Sequence, residues 1–296
     1  MLKISVVTPS YNQGAFLSFC IDTISAQRKH GAVEYLVLDG GSSDNSPLII
    51  SQFTDRIDYW QSQRDGGQSA AINTGFALAQ GDILCWINSD DGLADGAVTR
   101  MREAIGSIRG PAWGIGQCII IDQTGSEVGK WAPTHHDSLD FILSWSKNYI
   151  MQPAVFWNRQ MWKEAGPLEE TLHYAMDFDL WLRFFQISKP ILINGSIGIH
   201  RRHRNSKTSL AECKIYDEFL WTIDKRLSNN PILKRNGQLN VCHALCERAN
   251  LNLHYKNYGA VKESIIKAVS ISITETLRIY FAKIVRMTYS MFKGYS

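Results

Sequence analysis

The chain has 296 residues, 45% of them apolar and 20% charged, with a formal net charge of +3. That length holds one large domain with an appendage, and the apolar fraction is that of an ordinary globular core, which excludes a disordered or fibrous chain. No apolar run reaches the roughly 20 residues of a membrane span, and Met1-Leu2-Lys3 opens straight onto a strand, so neither a spanning helix nor a signal peptide is expected. Residues 3–8 (KISVVT) read as that first strand, followed by Pro9-Ser10-Tyr11-Asn12 and a helix over 15–27. Residues 34–38 (EYLVL) form a second apolar strand that ends at Asp39, with Gly40-Gly41-Ser42-Ser43-Asp44 behind it. Ser46-Pro47 then supplies a helix cap and a proline for the first turn. A third strand over 57–60 leads through Asp65-Gly66-Gly67-Gln68 into a helix over 69–79, and a fourth over 83–87 delivers Asp90 and Asp91.

Strand and helix alternate up to that point, which argues for a doubly wound, mostly parallel α/β sheet. Ligand crevices in such sheets lie at the carboxyl ends of the strands, where Asp39, Asp90 and Asp91 converge. Adjacent carboxylates there suit a divalent cation that bridges to a diphosphate. Near 206–211 the pattern changes, and helices are expected over 210–227, 238–255, 260–270 and 275–292, broken at Asn229-Asn230-Pro231 and Tyr258-Gly259. The expected division is therefore 1–208, in halves 1–92 and 93–208, followed by a helical extension 209–296. Six scattered cysteines indicate reduced thiols and a cytoplasmic setting, and Cys242 and Cys246 beside His243 lack the second pair a structural zinc site would need.

Five segments, SVVTPSYNQ, LDGGSSDNS, RDGGQSAAINTGFALAQGDILCWINSDD, YAMDFDLWLRF and HRRHRNSKT, together resemble the family 2 glycosyltransferases of GT-A fold over about residues 3–208. The resemblance implies inverting transfer of a sugar from a nucleotide diphosphate donor, assisted by Mn²⁺ or Mg²⁺. By family position Asp39 accepts the ring N–H of the base, and Pro9, Ser10 and Tyr11 line it. Asp91 becomes the metal ligand, with Asp90 turned to the ribose or to metal-bound water. His203 resembles a third metal ligand that some members use, and its other reading is one more member of the basic strip Arg201-Arg202-His203-Arg204. Arg201, Arg202 and Lys207 are the expected diphosphate contacts. Arg64, Asp65 and Gln68 are expected on the nucleotide.

Three departures from the family stand out, one of them Met176 in place of the glutamate of the family's frequent Glu-Asp pair. Gly40 replaces the second acid of an Asp-Asp-Gly-Ser run, leaving Asp39 as the carboxylate at the base. Ile72 stands where many members carry an arginine, a loss Arg64 could compensate.

Inversion needs a carboxylate to take the acceptor hydroxyl's proton. The motif maps that base to Asp177, while Asp179 and Arg183, four apart, are expected to pair on one helical face. Trp145, Trp157, Trp162 and Trp181 read as core. Trp113 and Trp131 flank an expected hairpin, where core packing and sugar stacking both remain open. No Gln-x-x-Arg-Trp run marks a processive synthase, so one sugar is expected to move per encounter.

The reading is a UDP-sugar-dependent enzyme that extends a surface glycan or its lipid-linked precursor. Its rivals are a nucleotidyltransferase, whose Gly-x-Gly-x-Arg loop is missing, and a non-catalytic nucleotide-sugar-binding scaffold, which would lack acids at 91 or 177. The segment 271–296 carries Leu277, Tyr280, Phe281, Ile284, Met287, Met291 and Phe292 on one helical side and Arg278, Lys283, Arg286 and Lys293 on the other. Two readings stand for it: a helix lying on the cytoplasmic face of the inner membrane, or one packed on the preceding hairpin or a second subunit.

Overall fold

The computed structural model describes residues 2–134, 138, 142–143, 149–204, 206–207, 212–227 and 231–281. The chain divides into two compact units, one of residues 1–142 and 150–206 and one of residues 143–149 and 207–296.

The first unit is built on a sheet whose described strands are β1 (Ile4–Ser10), β2 (Val33–Asp39), β3 (Tyr59–Ser62), β4 (Ile83–Trp86), β5 (Gly92–Leu93), β6 (Trp113–Ile121), β7 (Glu127–Trp131), β8 (Val155–Asn158) and β9 (Ile191–Arg201). Their order is β3-β2-β1-β4-β8-β6-β9-β5, with β7 paired to β6. β1 and β2 are buried at every position, and β4 likewise, so they read as continuous apolar runs. The strands β3, β2, β1 and β4 are all parallel. Beyond β4 the sheet turns mixed. β8 runs antiparallel to both β4 and β6, β7 antiparallel to β6, and β9 parallel to β6. Alternation of strands with helices stops at β5, and a sequence without that alternation permits antiparallel neighbours.

Helices α1 (Gly14–Ser25), α2 (Ser46–Gln52), α3 (Gln68–Leu78) and α4 (Ala97–Ile105) flank this sheet. Gly75 of α3 lies against β1 so closely that a Cβ there would collide with Val7. The third strand begins two residues later than the sequence pattern suggests. Ile57, 7% exposed, closes a short 3₁₀ turn onto the core, and pairing with β2 starts at Tyr59 opposite Leu36.

Tryptophans fill the centre of the second half. Trp181 stacks on Trp86 at 5.6 Å and on Trp113 at 6.0 Å, and Trp157 meets Trp86 and Trp181 edge-on. Trp113 is fully buried and its Nε1 donates to the Ser188 carbonyl, so it is core rather than a sugar platform. Trp131, at the end of β7, is half-buried, and Trp145 lies outside the described residues.

In the second unit the helices are Glu212–Leu227, Pro231–His254 and Tyr258–Ile271, followed by 273–281. The second of these starts at Pro231, seven residues before the pattern suggested, because proline at the first helical position costs no hydrogen bond. Cys242 and Cys246 pack there with Leu245, Ala268 and Ile279 in an apolar cluster, and His243 Nε2 meets Glu275 Oε1 at 3.1 Å. Those thiols are core.

Candidate active site

The loops that follow β1 and β2 are knotted together. Ser10 and Asp39 are register partners, and Gly40 N–H donates to the Ser10 carbonyl at 2.9 Å. Asn12 adopts a left-handed backbone (φ 52), and its Oδ1 accepts from the Ser43 amide at 2.9 Å. Its own amide donates to Ser42 Oγ at 2.7 Å. Asp44 then caps the start of α1 by accepting from Gly14 N–H at 2.9 Å.

Asp39, 1% exposed, accepts from Ser42 N–H (3.0 Å), Ser42 Oγ (2.6 Å) and Ser62 Oγ (2.6 Å). It is therefore a turn aspartate, with about one of its four acceptor positions left for a ligand. Ser10 Oγ, by contrast, is buried without a hydrogen-bond partner. Tyr11 stands 62% exposed beside it, and Pro9 is buried in β1.

The glycine at 40 has a physical explanation. A Cβ there would lie 3.0 Å from Asp65 Oδ2, so a second acid at 40 would be forced against the carboxylate already present. Asp39 is thus not alone, because the loop after β3 brings Asp65 over Gly40. Asp65 Oδ1 also accepts from Gly67 N–H at 2.7 Å and shapes the entry to α3. Ile72 is fully buried, so that position faces the core, while Arg64 is exposed.

Past β4 the backbone turns instead of running on extended, with Asp91 N–H donating to the Asn88 carbonyl at 3.0 Å, and the two acids separate. Asp91 is 2% exposed and turned toward β9, where its Oδ1 accepts from Arg201 N–H at 2.9 Å and meets His200 Nδ1 at 3.1 Å. Burial, and then the neighbouring Asp90, push the Asp91 carboxyl above its usual range, against the pull of His200. Burial alone would lower the His200 imidazole, but the Asp91 charge and hydrogen bond hold it above its ordinary value.

Asp90 keeps 20% of its side chain exposed, and its Oδ2 meets His203 Nε2 at 3.0 Å. His203 is packed on Phe16 at 4.5 Å, and its Nδ1 is buried without a partner. Arg201 departs from expectation. It is 4% exposed, lies over Phe19 and Phe16, and donates to the carbonyls of Asp90, Asp122 and Gln123, so its guanidinium is spent inside the protein rather than on a diphosphate. Arg202 is exposed, and Lys207, also exposed, groups with the second unit.

A chain of amides ties this edge to α3. Gln152 Nε2 donates to the Trp86 carbonyl (2.8 Å), so its Oε1 accepts from Asn88 Nδ2 (3.2 Å), and Asn88 Oδ1 in turn accepts from Gln68 Nε2 (2.9 Å). The neighbouring Ser69 Oγ bonds Met176 Sδ at 2.9 Å, which sets the start of the helix Met176–Ile187 beside the start of α3. Asp177 lies in that helix's first turn, half-buried, with its Oδ1 accepting from Phe178 N–H at 2.7 Å. Asp179 is fully buried and pairs with Arg183 at 2.8 Å, and Arg183 reaches on to the Pro167 carbonyl. Removing one member of a buried pair leaves a stranded charge, so Asp179→Ala should lower unfolding free energy by about 3 kcal/mol. Urea titration measures it, and a loss under about 1 kcal/mol would show that the pair is not structural.

Asn12, Phe16, Asn88, Gln152 and His200 escaped the sequence reading. Only His200 left a signal, the His-x-x-His spacing with His203, because the others act through contacts distant in sequence.

The geometry can be set beside known proteins. The family described as Glycosyl transferase family 2 matches residues 5–154. The chain belongs to that family. An uncharacterized glycosyltransferase of Mycobacterium tuberculosis, Rv1514c, is 36% identical over 195 residues, covering 64% of this chain and 71% of the relative. Among solved structures, residues 1–349 of Staphylococcus aureus TarS in complex with UDP-GlcNAc align with a TM-score of 0.68 at 13% identity, covering 91% of this chain and 81% of that one. The mannosyltransferase PcManGT of Pyrobaculum calidifontis, in complex with GDP-Man and Mn²⁺, aligns at 0.54 and 13% identity, covering 92% and 87%. The likeness is one of fold, the GT-A type. This family 2 member is a glycosyltransferase whose structural neighbours bind nucleotide sugars.

Proposed function

We propose that this glycosyltransferase moves one sugar, with inversion, from a UDP-sugar to a surface-glycan or lipid-linked acceptor in the presence of Mn²⁺ or Mg²⁺. The observation that carries the reading is the placement of Asp39, the unpartnered Ser10 Oγ and Asp90 at or just beyond the carboxyl ends of the adjacent strands β2, β1 and β4. Asp39 has one acceptor position for a uracil N–H, and Ser10 is its register partner on the neighbouring strand. Asp65, over Gly40, faces the nucleoside with them, and Arg64, Gln68 and Arg202 are the further polar groups of this edge.

A cation fits the residues present. Asp90 offers a partly exposed carboxylate and His203 an imidazole nitrogen at hydrogen-bond distance from it. Among the described residues no three His, Cys, Asp or Glu side chains form a cage, so a bound cation would draw its remaining ligands from diphosphate oxygens and water, as is usual for Mg²⁺ and its kin. The nitrogen donor favours Mn²⁺. We assign the direct ligand role to Asp90, because Asp91 is committed to the backbone and imidazole of β9. When bound, the ion neutralises the diphosphate and stabilises it as leaving group. Asp177 accepts the proton of the acceptor hydroxyl as that oxygen attacks the anomeric carbon.

A donor screen scoring nucleoside diphosphate release with UDP-, GDP- and dTDP-sugars tests the reading. Turnover with UDP-sugars is expected, and exclusive turnover with another nucleotide would remove Asp39 as a uracil reader.

A further inference from the structure

The second unit carries a helix that is apolar on two faces. Over 273–281 one face buries Thr276 and Ile279 against Cys242, Leu245, Cys246 and Ala268. The other carries Ile273, Leu277 and Phe281, spaced four apart, at 59%, 64% and 69% exposure. The preceding helix adds Ile266, 57% exposed, between exposed Lys262 and Lys267. Single exposed apolar residues are ordinary, but a row of them at helical spacing marks a surface that something covers.

Charge says what covers it. From 256 onward the sequence has seven basic residues (Lys256, Lys262, Lys267, Arg278, Lys283, Arg286 and Lys293) against two acids, Glu263 and Glu275. That end alone is +5, while the whole chain is +3. Both acids are engaged, Glu263 with Lys267 at 2.7 Å and Glu275 with His243 at 3.1 Å and Arg278 at 3.7 Å, and Arg278 still keeps 76% of its side chain exposed next to Leu277.

We propose that this face docks on an anionic phospholipid bilayer, with Ile273, Leu277 and Phe281 at the acyl boundary and the cations among the headgroups. An apolar row edged by cations is what an interfacial helix presents to anionic lipid. A second copy fits less well, since a two-fold contact sets the same patch against itself and would press two +5 ends together.

Co-sedimentation of the full chain with vesicles of phosphatidylcholine alone or with added phosphatidylglycerol tests the proposal. Binding is expected only with phosphatidylglycerol and should weaken as salt rises. Leu277→Ser with Phe281→Ser, both surface changes, should leave the thermal midpoint in place and cut the partition coefficient by on the order of tenfold or more. Arg278→Glu should weaken binding without touching the apolar row. Equal sedimentation of the double variant and the parent overturns the proposal, as does a parent that ignores phosphatidylglycerol. Light scattering that finds a parent dimer, dispersed by the double variant without lipid, overturns it in favour of a second copy.

Discussion

Asp177→Asn is expected to cut turnover by about 10²–10⁴, the loss typical of a missing general base. The substitution keeps size and shape, and the asparagine Oδ1 can still accept from Phe178 N–H. The helix should therefore hold its place. On the proposed mechanism what disappears is the proton acceptor, so donor affinity measured by calorimetry should stay within about twofold while the chemical step collapses, a kcat effect rather than a KM effect. Asp179→Ala should show the opposite pattern, with lower stability and near-parental turnover in the folded fraction. If the two variants exchange phenotypes, the base is Asp179 and the helix has been read one face wrong.

The second large effect is expected at the strand-end acids, where the structure separates two residues the sequence presents as equals. Asp90→Asn should weaken binding of the donor diphosphate by roughly 10–100-fold and remove its stimulation by Mn²⁺, as loss of a direct oxygen ligand does. Excess chelator on the parent protein should match it. Asp91→Asn leaves the Asp90 carboxylate in place but weakens the tie to Arg201 N–H and His200, so its first symptom should be lower stability with a metal response retained. Full activity of the parent in excess chelator, or a normal metal response in Asp90→Asn, would end the assignment.

The first four strands and their helices were legible because their information is local. Each strand run ends in a glycine- or aspartate-rich turn, and each helix follows within a few residues, so Asp39, Asp90 and Asp91 could be placed at one edge from the order of the elements. The Asp179–Arg183 pair was legible for the same reason, being one helical turn apart. The later strands were not. β9 sits beside β6 and reaches back to β5, contacts that no periodicity encodes, and those contacts decide that Asp91 turns inward and that Arg201 is buried under Phe16 and Phe19. A run such as Arg201-Arg202-His203-Arg204 looks like one basic strip on paper. In the strand-end backbone its members alternate, and burial takes Arg201 and His203 while Arg202 and Arg204 stay in water. Asn12 shows the same limit, since its left-handed backbone is demanded by a loop thirty residues away rather than by its neighbours.

The indole stack of the first unit gives the protein an optical handle. Trp181, one turn along the helix from Asp177, lies nearly parallel to Trp86 and Trp113, with interplanar angles of 12° and 9°. Rings held at such spacing and fixed orientation share their excited states, so the near-ultraviolet circular dichroism should be strong and should vanish when this packing is lost. The far-ultraviolet signal weighs helices, and three long ones, Glu212–Leu227, Pro231–His254 and Tyr258–Ile271, belong to the second unit. Near-ultraviolet ellipticity therefore follows the unit that holds the candidate site, and far-ultraviolet ellipticity leans toward the unit that carries the exposed apolar row. Heating the protein while recording both would show whether the two melt together or in turn.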